Sequence, residues 1–311
     1  MRIVAANEVQ AALDFPLLVD RLRDAFRRDV AAPVRHHHNL PRGGEPDATL
    51  LLMPAWQSGR HVGIKIVTVT PGNAERGLPA VTGVYLLNDW KTGAPIALID
   101  GPMLTLRRTA AASALAASYL ARQDAERLLM VGTGALAAHL VQAHAAVRPI
   151  CNVLIWGRNP ARAEKLARAL NRRDFKVDFT EDLEGAARGA HVISCATLSH
   201  DPLVQGEWLQ PGTHLDLVGG FTPEMRETDD EAIHRARVFV DTRAGATTEA
   251  GDIVQPLASG VLKEADIAGD LFELCRGERP ARRSYAEITL FKSVGTALED
   301  LAAAQLVVER T

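Results

Sequence analysis

Apolar residues change their spacing along the chain, and each change marks a different kind of element. Between residues 14 and 30 they recur at helical spacing. Leu17, Leu18, Leu22, Ala25 and Phe26 fall on one side and arginines on the other, which predicts an amphipathic helix. The Pro- and His-bearing stretch 33–44 predicts a loop. From residue 49 to 101 the period becomes that of strands, with short apolar runs at 50–53, 62–69, 81–88 and 95–99. Pro71-Gly72-Asn73 and Asp89-Trp90-Lys91-Thr92-Gly93 read as turns between them, the second closing a hairpin, so this sheet is antiparallel. Residues 102–122 return to helix as an alanine-rich run.

Beyond residue 122 strands and helices alternate. Segments 128–131 and 153–156 read as buried strands and 176–179, 192–195, 214–218 and 238–241 as further strands, with helices at 135–147, 160–171 and 182–188. Such alternation predicts an α/β fold with a Rossmann-type, doubly wound parallel sheet. The tail, a strand at 288–293 and an amphipathic helix at 294–308, is expected to return to the first domain. The expected division is therefore 1–122 with 290–311, an α+β domain with an antiparallel sheet, and 123–289, a dinucleotide-binding domain.

The second domain opens with Gly132-Thr133-Gly134-Ala135-Leu136-Ala137, the G-x-G-x-x-A form of the dinucleotide fingerprint. The first glycine permits the tight turn, the second lets a pyrophosphate approach the backbone, and Ala137 lets the helix pack closely on the strand. Strand, turn, helix and strand follow in order within one unit, which is the context the motif needs. At the end of the next strand an NAD site usually carries an acid for the ribose 2′-hydroxyl. This chain has Trp156-Gly157-Arg158-Asn159-Pro160 instead. Arg158 suits a 2′-phosphate, so NADPH is the expected cofactor, with NAD possible. The alternative is a solvated arginine beside an Asn159 N-cap and a Pro160 first turn. Gly219-Gly220, at another strand end, reads either as backbone held close to a ligand or as a plain turn.

Two groups in the first domain stand out. Lys65 interrupts an apolar strand, either as a guard on an edge or as a functional cation. Arg107 and Arg108 sit near a helix start, where the dipole disfavours cations, so an anion is expected beside them and one of the two is expected to face water. His36-His37-His38 has no Cys, Asp or Glu at ligand spacing, and no metal is expected.

Composition narrows the function classes. At 311 residues the chain can bury a large core, and a net charge of −3 gives no reason to expect nucleic acid or an anionic membrane. No apolar run reaches membrane-helix length, and the N-terminus lacks a signal-peptide pattern. Cys151, Cys195 and Cys275 make neither a disulfide framework nor a zinc pattern, so a reducing cytoplasm fits.

With these residues laid out, the chain resembles the ornithine cyclodeaminase/μ-crystallin family over nearly its full length. The matching pieces are Leu52-Met53-Pro54-Ala55, Gly63-Ile64-Lys65, Leu104-Thr105-Leu106-Arg107-Arg108-Thr109-Ala110-Ala111, Gly132-Thr133-Gly134, Asp216-Leu217-Val218-Gly219-Gly220, and Ser293-Val294-Gly295 with Glu299-Asp300. The resemblance implies a homodimer whose N-terminal domain supplies substrate contacts and the dimer interface. It implies that Arg42, Lys65 and Arg108 form the substrate-carboxylate group, with Lys65 also placed to supply or relay a proton. Thr82 and Thr109 would line the site near the cofactor, and Ala196, Thr197, Val218 and Ser293 its nicotinamide half. Where ornithine cyclodeaminases carry acids near the substrate amine, this chain has Phe221 and Leu51. The expected activity is therefore NAD(P)H-dependent reduction of a small cyclic imino acid such as Δ1-pyrroline-2-carboxylate. Ornithine cyclodeamination with NAD, and crystallin-like NADPH binding without turnover, are the alternatives. Glu224, Glu227 and Asp229 stand close enough downstream to replace the missing acid.

Overall fold

Two sheets of different kinds arise from the two spacings. The structure, a computed structural model, describes residues 1–171 and 175–311. It begins with β1 (Arg2–Val4), α1 (Ala6–Ala12) and α2 (Phe15–Arg27). Five strands follow: β2 (His36–Leu40), β3 (Ala48–Gln57), β4 (His61–Val69), β5 (Val81–Asp89) and β6 (Pro95–Asp100). Helix α3 (Gly101–Leu120) leads to β7 (Arg127–Val131), α4 (Ala137–Val147), β8 (Asn152–Trp156) and α5 (Pro160–Leu170). Next come β9 (Lys176–Phe179), α6 (Leu183–Gly189), β10 (Val192–Cys195), β11 (His214–Leu217) and α7 (Asp230–Arg235). The series closes with β12 (Arg237–Val240), α8 (Arg243–Glu249), α9 (Gly251–Ser259), β13 (Gly269–Asp270), α10 (Leu271–Arg276), β14 (Thr289–Lys292) and α11 (Ala297–Arg310). Among the described residues no helix is long and apolar enough to cross a membrane.

Contacts divide the chain into Met1–Thr109 with Thr296–Thr311, and Ala110–Gly295. The boundaries expected at 122 and 290 are thus displaced. Strand β14 is hydrogen-bonded between β11 and β12, so it belongs wholly to the parallel sheet, and α3 runs across the first boundary.

The first unit holds a six-stranded sheet in the order β1-β6-β5-β4-β3-β2, antiparallel except for β1 on β6. Side chains alternate cleanly. Met53, Ala55, Lys65, Val67, Tyr85, Leu87, Ala97 and Ile99 are buried on one face. Helix α11 packs on β3, β4 and β5, and α2 packs on α11. Because α11 is surrounded, eleven successive residues from Ala297 to Val307 are buried, as expected of an inner helix rather than an amphipathic one. In α2 Leu18, Leu22, Ala25 and Phe26 face inward, whereas Leu17 is 43% exposed. The stretch expected as a loop contains β2, paired with β3 from His36↔Leu52 to Leu40↔Ala48. It lacks strand periodicity because it is an edge strand with nearly every side chain exposed, and polar residues there discourage further pairing. Lys65 is no edge guard: β4 has neighbours on both sides.

The second unit is an eight-stranded, all-parallel sheet in the order β13-β12-β14-β11-β10-β7-β8-β9. The chain moves outward from β7 to β8 and β9 on one side, then returns to place β10 on the other. The strand order therefore reverses at β7, and a doubly wound sheet binds its ligand outside the carboxyl ends at that point.

Candidate active site

At the reversal point β7 is followed by Gly132, whose φ of +122° is open to glycine alone, and a Cβ there would stand 2.6 Å from the Ala196 carbonyl. Around Gly134 a Cβ would meet nothing within 4 Å, so the turn leaves room for a bulky group. Helix α4 starts at Ala137, two residues later than expected, and no side chain caps it. The Ala137 N–H bonds the Gly134 carbonyl at 3.1 Å, and the positive end of the helix dipole favours an anion beside this turn. The cleft beside this turn measures about 410 Å³ and brings together Gly132, Thr133, Gly134, Arg158, Asn159, Ala196 and Thr197. Arg162, which sequence reasoning passed over, adds a second guanidinium; its place one turn into α5 was the available signal. No carboxylate lines this cleft among the described residues. Open backbone, a helix start without a side-chain cap and two arginines fit a dinucleotide.

Other expected cofactor contacts fall differently. Asn159 spends its side-chain oxygen capping α5, accepting from Arg162 N at 3.2 Å. Ala137 is buried in the first turn of α4, and Ala135 is exposed on the turn before it. Val218 and Ser293 are buried at the ends of β11 and β14, where their N–H groups donate to Cys195 and Leu217 carbonyls. Thr82 is exposed at the start of β5 and Thr109 is half-buried on α3, both in the first unit.

Behind the cleft wall lies a fully buried ionic group. Thr197 donates from its backbone N (2.7 Å) and its hydroxyl (2.8 Å) to Glu227 Oε1. Asp252 Oδ1 accepts from the backbone N of Glu227 and of Thr228, while Asp252 Oδ2 lies 3.1 Å from Lys292 Nζ. Lys292 Nζ also donates to the Gly219 carbonyl at 2.6 Å. A Cβ on Gly219 would collide with the Thr197 carbonyl and the Glu227 carboxylate. One on Gly220, whose φ is +44°, would stand 2.7 Å from Asp252 Oδ2. The glycine pair thus makes room for the protein's own charged groups. Burial pushes the Glu227 carboxyl up to about 7, with Lys292 opposing. Of the three downstream acids, Glu227 alone turns inward; Asp229 caps α7 and Glu224 is exposed.

In the first unit Lys65 and Arg108 meet on one carboxylate. Lys65 Nζ lies 2.9 Å from Asp300 Oδ2, and Arg108 Nε donates to Asp300 Oδ1 at 3.0 Å. Arg108 Nη1 donates to Glu299 Oε2 at 2.7 Å. All four residues are buried. Burial pushes the Lys65 ammonium down to about 8, with Asp300 offsetting part of that cost. Burial alone would raise Asp300; Arg108 and Lys65 outweigh it and hold the carboxyl below its ordinary range. The anions expected beside the arginine pair are therefore acids in the first turn of α11, where the dipole also favours them. Neither arginine faces water. Arg107 donates to the Leu13 carbonyl and lies 3.6 Å over the Phe15 ring. Arg42 is not part of this cluster. It is exposed on the turn after β2, where its backbone N donates to Asp47. The third cation within electrostatic reach of Lys65 and Asp300 is Arg35, just before β2. Nothing in its local spacing marked it.

The sequence model of the ornithine cyclodeaminase/mu-crystallin family matches residues 2–311. A Δ1-pyrroline-2-carboxylate reductase of Paracoccus denitrificans is 40% identical over 288 residues, covering 90% of this chain and 91% of its own. The structure of Thermococcus litoralis Δ1-pyrroline-2-carboxylate reductase in complex with NADH and L-proline superposes with a TM-score of 0.93. It is 32% identical, with 100% of this chain and 97% of that one covered. An archaeal alanine dehydrogenase dimer with bound NAD has a TM-score of 0.92 at 30% identity, with 100% and 95% covered.

Proposed function

The chain belongs to the ornithine cyclodeaminase/mu-crystallin family, and from that premise we propose that it reduces a small cyclic imino acid such as Δ1-pyrroline-2-carboxylate with a nicotinamide cofactor. The observation that carries this reading is the convergence of buried Lys65 and Arg108 on Asp300, with half-buried Arg35 within electrostatic reach, a set of cations suited to a carboxylate. Relatives named for the same activity, and a structural neighbour holding NADH and proline, support it.

The nicotinamide supplies the hydride when bound. Arg108 and Arg35 hold the substrate carboxylate, and α11 fixes the angle of Arg108 through Glu299 and Asp300. Lys65, an ammonium below about pH 8, holds the proton destined for the imine nitrogen. Cyclodeamination is disfavoured because Phe221 stands where those enzymes place an acid, and the downstream acids are capping, exposed or bonded to Thr197. Within this reading NADPH is the preferred cofactor, since Arg158 and Arg162 line the cleft and Gly157 replaces the acid.

A second copy of the chain is proposed to cover the open face of the first sheet. Pro54, Trp56, Val62, Ile64, Ile66, Val84, Leu86 and Leu98 stand half-buried there in paired rows such as Leu52↔Ile66 and Ile64↔Leu86. The dimeric neighbour supports that occupant.

Steady-state oxidation of NADPH and NADH with five- and six-membered cyclic imino acids tests the activity. The expected result is turnover with a five-membered imine, a preference for NADPH that Arg158→Ala removes, and no ammonia from ornithine. Conversion of ornithine to proline with catalytic NAD overturns the reading, and absence of turnover on every imine leaves only cofactor binding.

A further inference from the structure

We propose that Glu227 is a positioning residue whose buried carboxylate sits behind the nicotinamide side of the cleft and favours the oxidised cofactor over the reduced one. The inference rests on the nicotinamide-dependent reading given above. Arg158 follows β8, on one side of β7, and marks the adenosine half of the cleft; the other half must extend across β10, on the opposite side. Thr197 follows β10 and lines that half. Both of its donors are spent on Glu227 Oε1, so the carboxyl stands one residue behind the wall.

The neighbours of Glu227 are charged and fixed. Asp252, from α9, binds the Glu227 and Thr228 amides and pairs with Lys292 of β14. The Cys195 thiol of β10 faces the same group, and burial raises it well above its ordinary value, so it stays neutral. Lys292 and Asp252 already balance each other. Glu227 Oε2 has no hydrogen-bond partner among the described residues, which leaves a place for a proton. A carboxyl pushed up to about 7 by burial is therefore divided between neutral and charged forms at neutral pH. Oxidised and reduced nicotinamide dinucleotides differ by one positive charge on the ring. That charge favours ionised Glu227, so binding the oxidised form expels the proton, whereas binding the reduced form leaves it.

The test measures affinities of the oxidised and reduced forms of one cofactor by calorimetry from pH 6 to pH 8. Taking their ratio cancels the phosphates that both share. In the wild type the preference for the oxidised form is expected to rise about fivefold to tenfold across this range. Glu227→Gln keeps an acceptor for Thr197 and is expected to flatten the ratio. Without ligand, the wild type is expected to lose thermal stability, relative to Glu227→Gln, as pH rises through about 7. The sign follows from a folded-state value raised above the unfolded one, whose contribution is lost above it. A wild-type ratio independent of pH overturns the inference even if the variant fails to fold, and so does a slope that survives in Glu227→Gln. If neither form binds at any pH, the nicotinamide-dependent reading fails as well; if both bind with a constant ratio, only this inference fails.

Discussion

At the scale of single residues, the first unit pairs two buried cations, Lys65 and Arg108, with two buried carboxylates, and the pairs depend on each other. Removing one partner of a buried ion pair leaves the other charge stranded, typically at about 3–5 kcal/mol. Arg108→Ala is therefore expected to lower unfolding free energy by about that amount in urea titration, in addition to raising the substrate KM. Arg108→Lys should recover only part of it, since one ammonium cannot reproduce a guanidinium donating to Glu299 and Asp300 at once. A loss below about 1 kcal/mol would mean that water reaches these groups. Lys65 makes a different prediction. If its ammonium supplies the proton for imine reduction, kcat is level below pH 8 and falls about tenfold per pH unit above it, because burial has brought the group down to about 8. Lys65→Arg keeps the charge but does not titrate in this range, so the alkaline limb should vanish along with most of the rate. A limb that persists in that variant belongs to another group.

At the scale of elements, the proposed cofactor preference rests on the junction of β8 with α5, and the turn after β7 limits how that junction can be changed. A Cβ on Gly157 would stand 2.7 Å from Thr133 Cγ2. Gly157→Asp alone is thus expected to impair both cofactors. Combined with Thr133→Ser, which removes that methyl, it should move the kcat/KM preference toward NADH by roughly ten- to a hundredfold, the worth of one charge-assisted hydrogen bond. Most of this junction was legible in the sequence because its residues from Gly132 to Asn159 follow one another through a single βαβ unit and its end, whereas Arg162, inside α5, was not. Five of the parallel strands, β7, β10, β11, β12 and β14, were legible as short runs buried on both faces, whereas the two-residue β13 was too short to read. Strand β2 was not legible, since an edge strand with exposed side chains has no periodicity to read. Helices α7 to α10 span six to nine residues, too few turns to establish a spacing, although Asp229, Thr242 and Asp270 cap three of them. In the candidate site, Lys65 and Arg108 stood out as cations in apolar surroundings. That they share Asp300 could not be read, because no local spacing encodes a contact between a strand and a helix 235 positions away. Arg35 and Arg42 looked alike in sequence, and only pairing of β2 with β3 separates them.

At the scale of the whole molecule, the open apolar face of the first sheet predicts association. Ile64→Glu puts a charge at the middle of that face, on the side away from Lys65. Sedimentation velocity is expected to show a dimer for the wild type and a monomer for the variant, with little change in the circular dichroism of either. A variant that stays dimeric would place the interface elsewhere. Helix α11 has a consequence of another sort. It is the inner helix of the unit that the chain begins, yet it is translated after the whole of the other unit, about 190 residues later. At ordinary rates of synthesis, the emerging β4 and α3 wait roughly ten to forty seconds for the acids that neutralise them. The middle of the chain can fold in that interval, whereas the beginning must remain open with its cations exposed and its sheet uncovered. A ribosome that stops before Thr296 would release a chain with a finished nucleotide-binding half and a gap through the core of the other. Such a product is a client for chaperones and proteases rather than a slower enzyme.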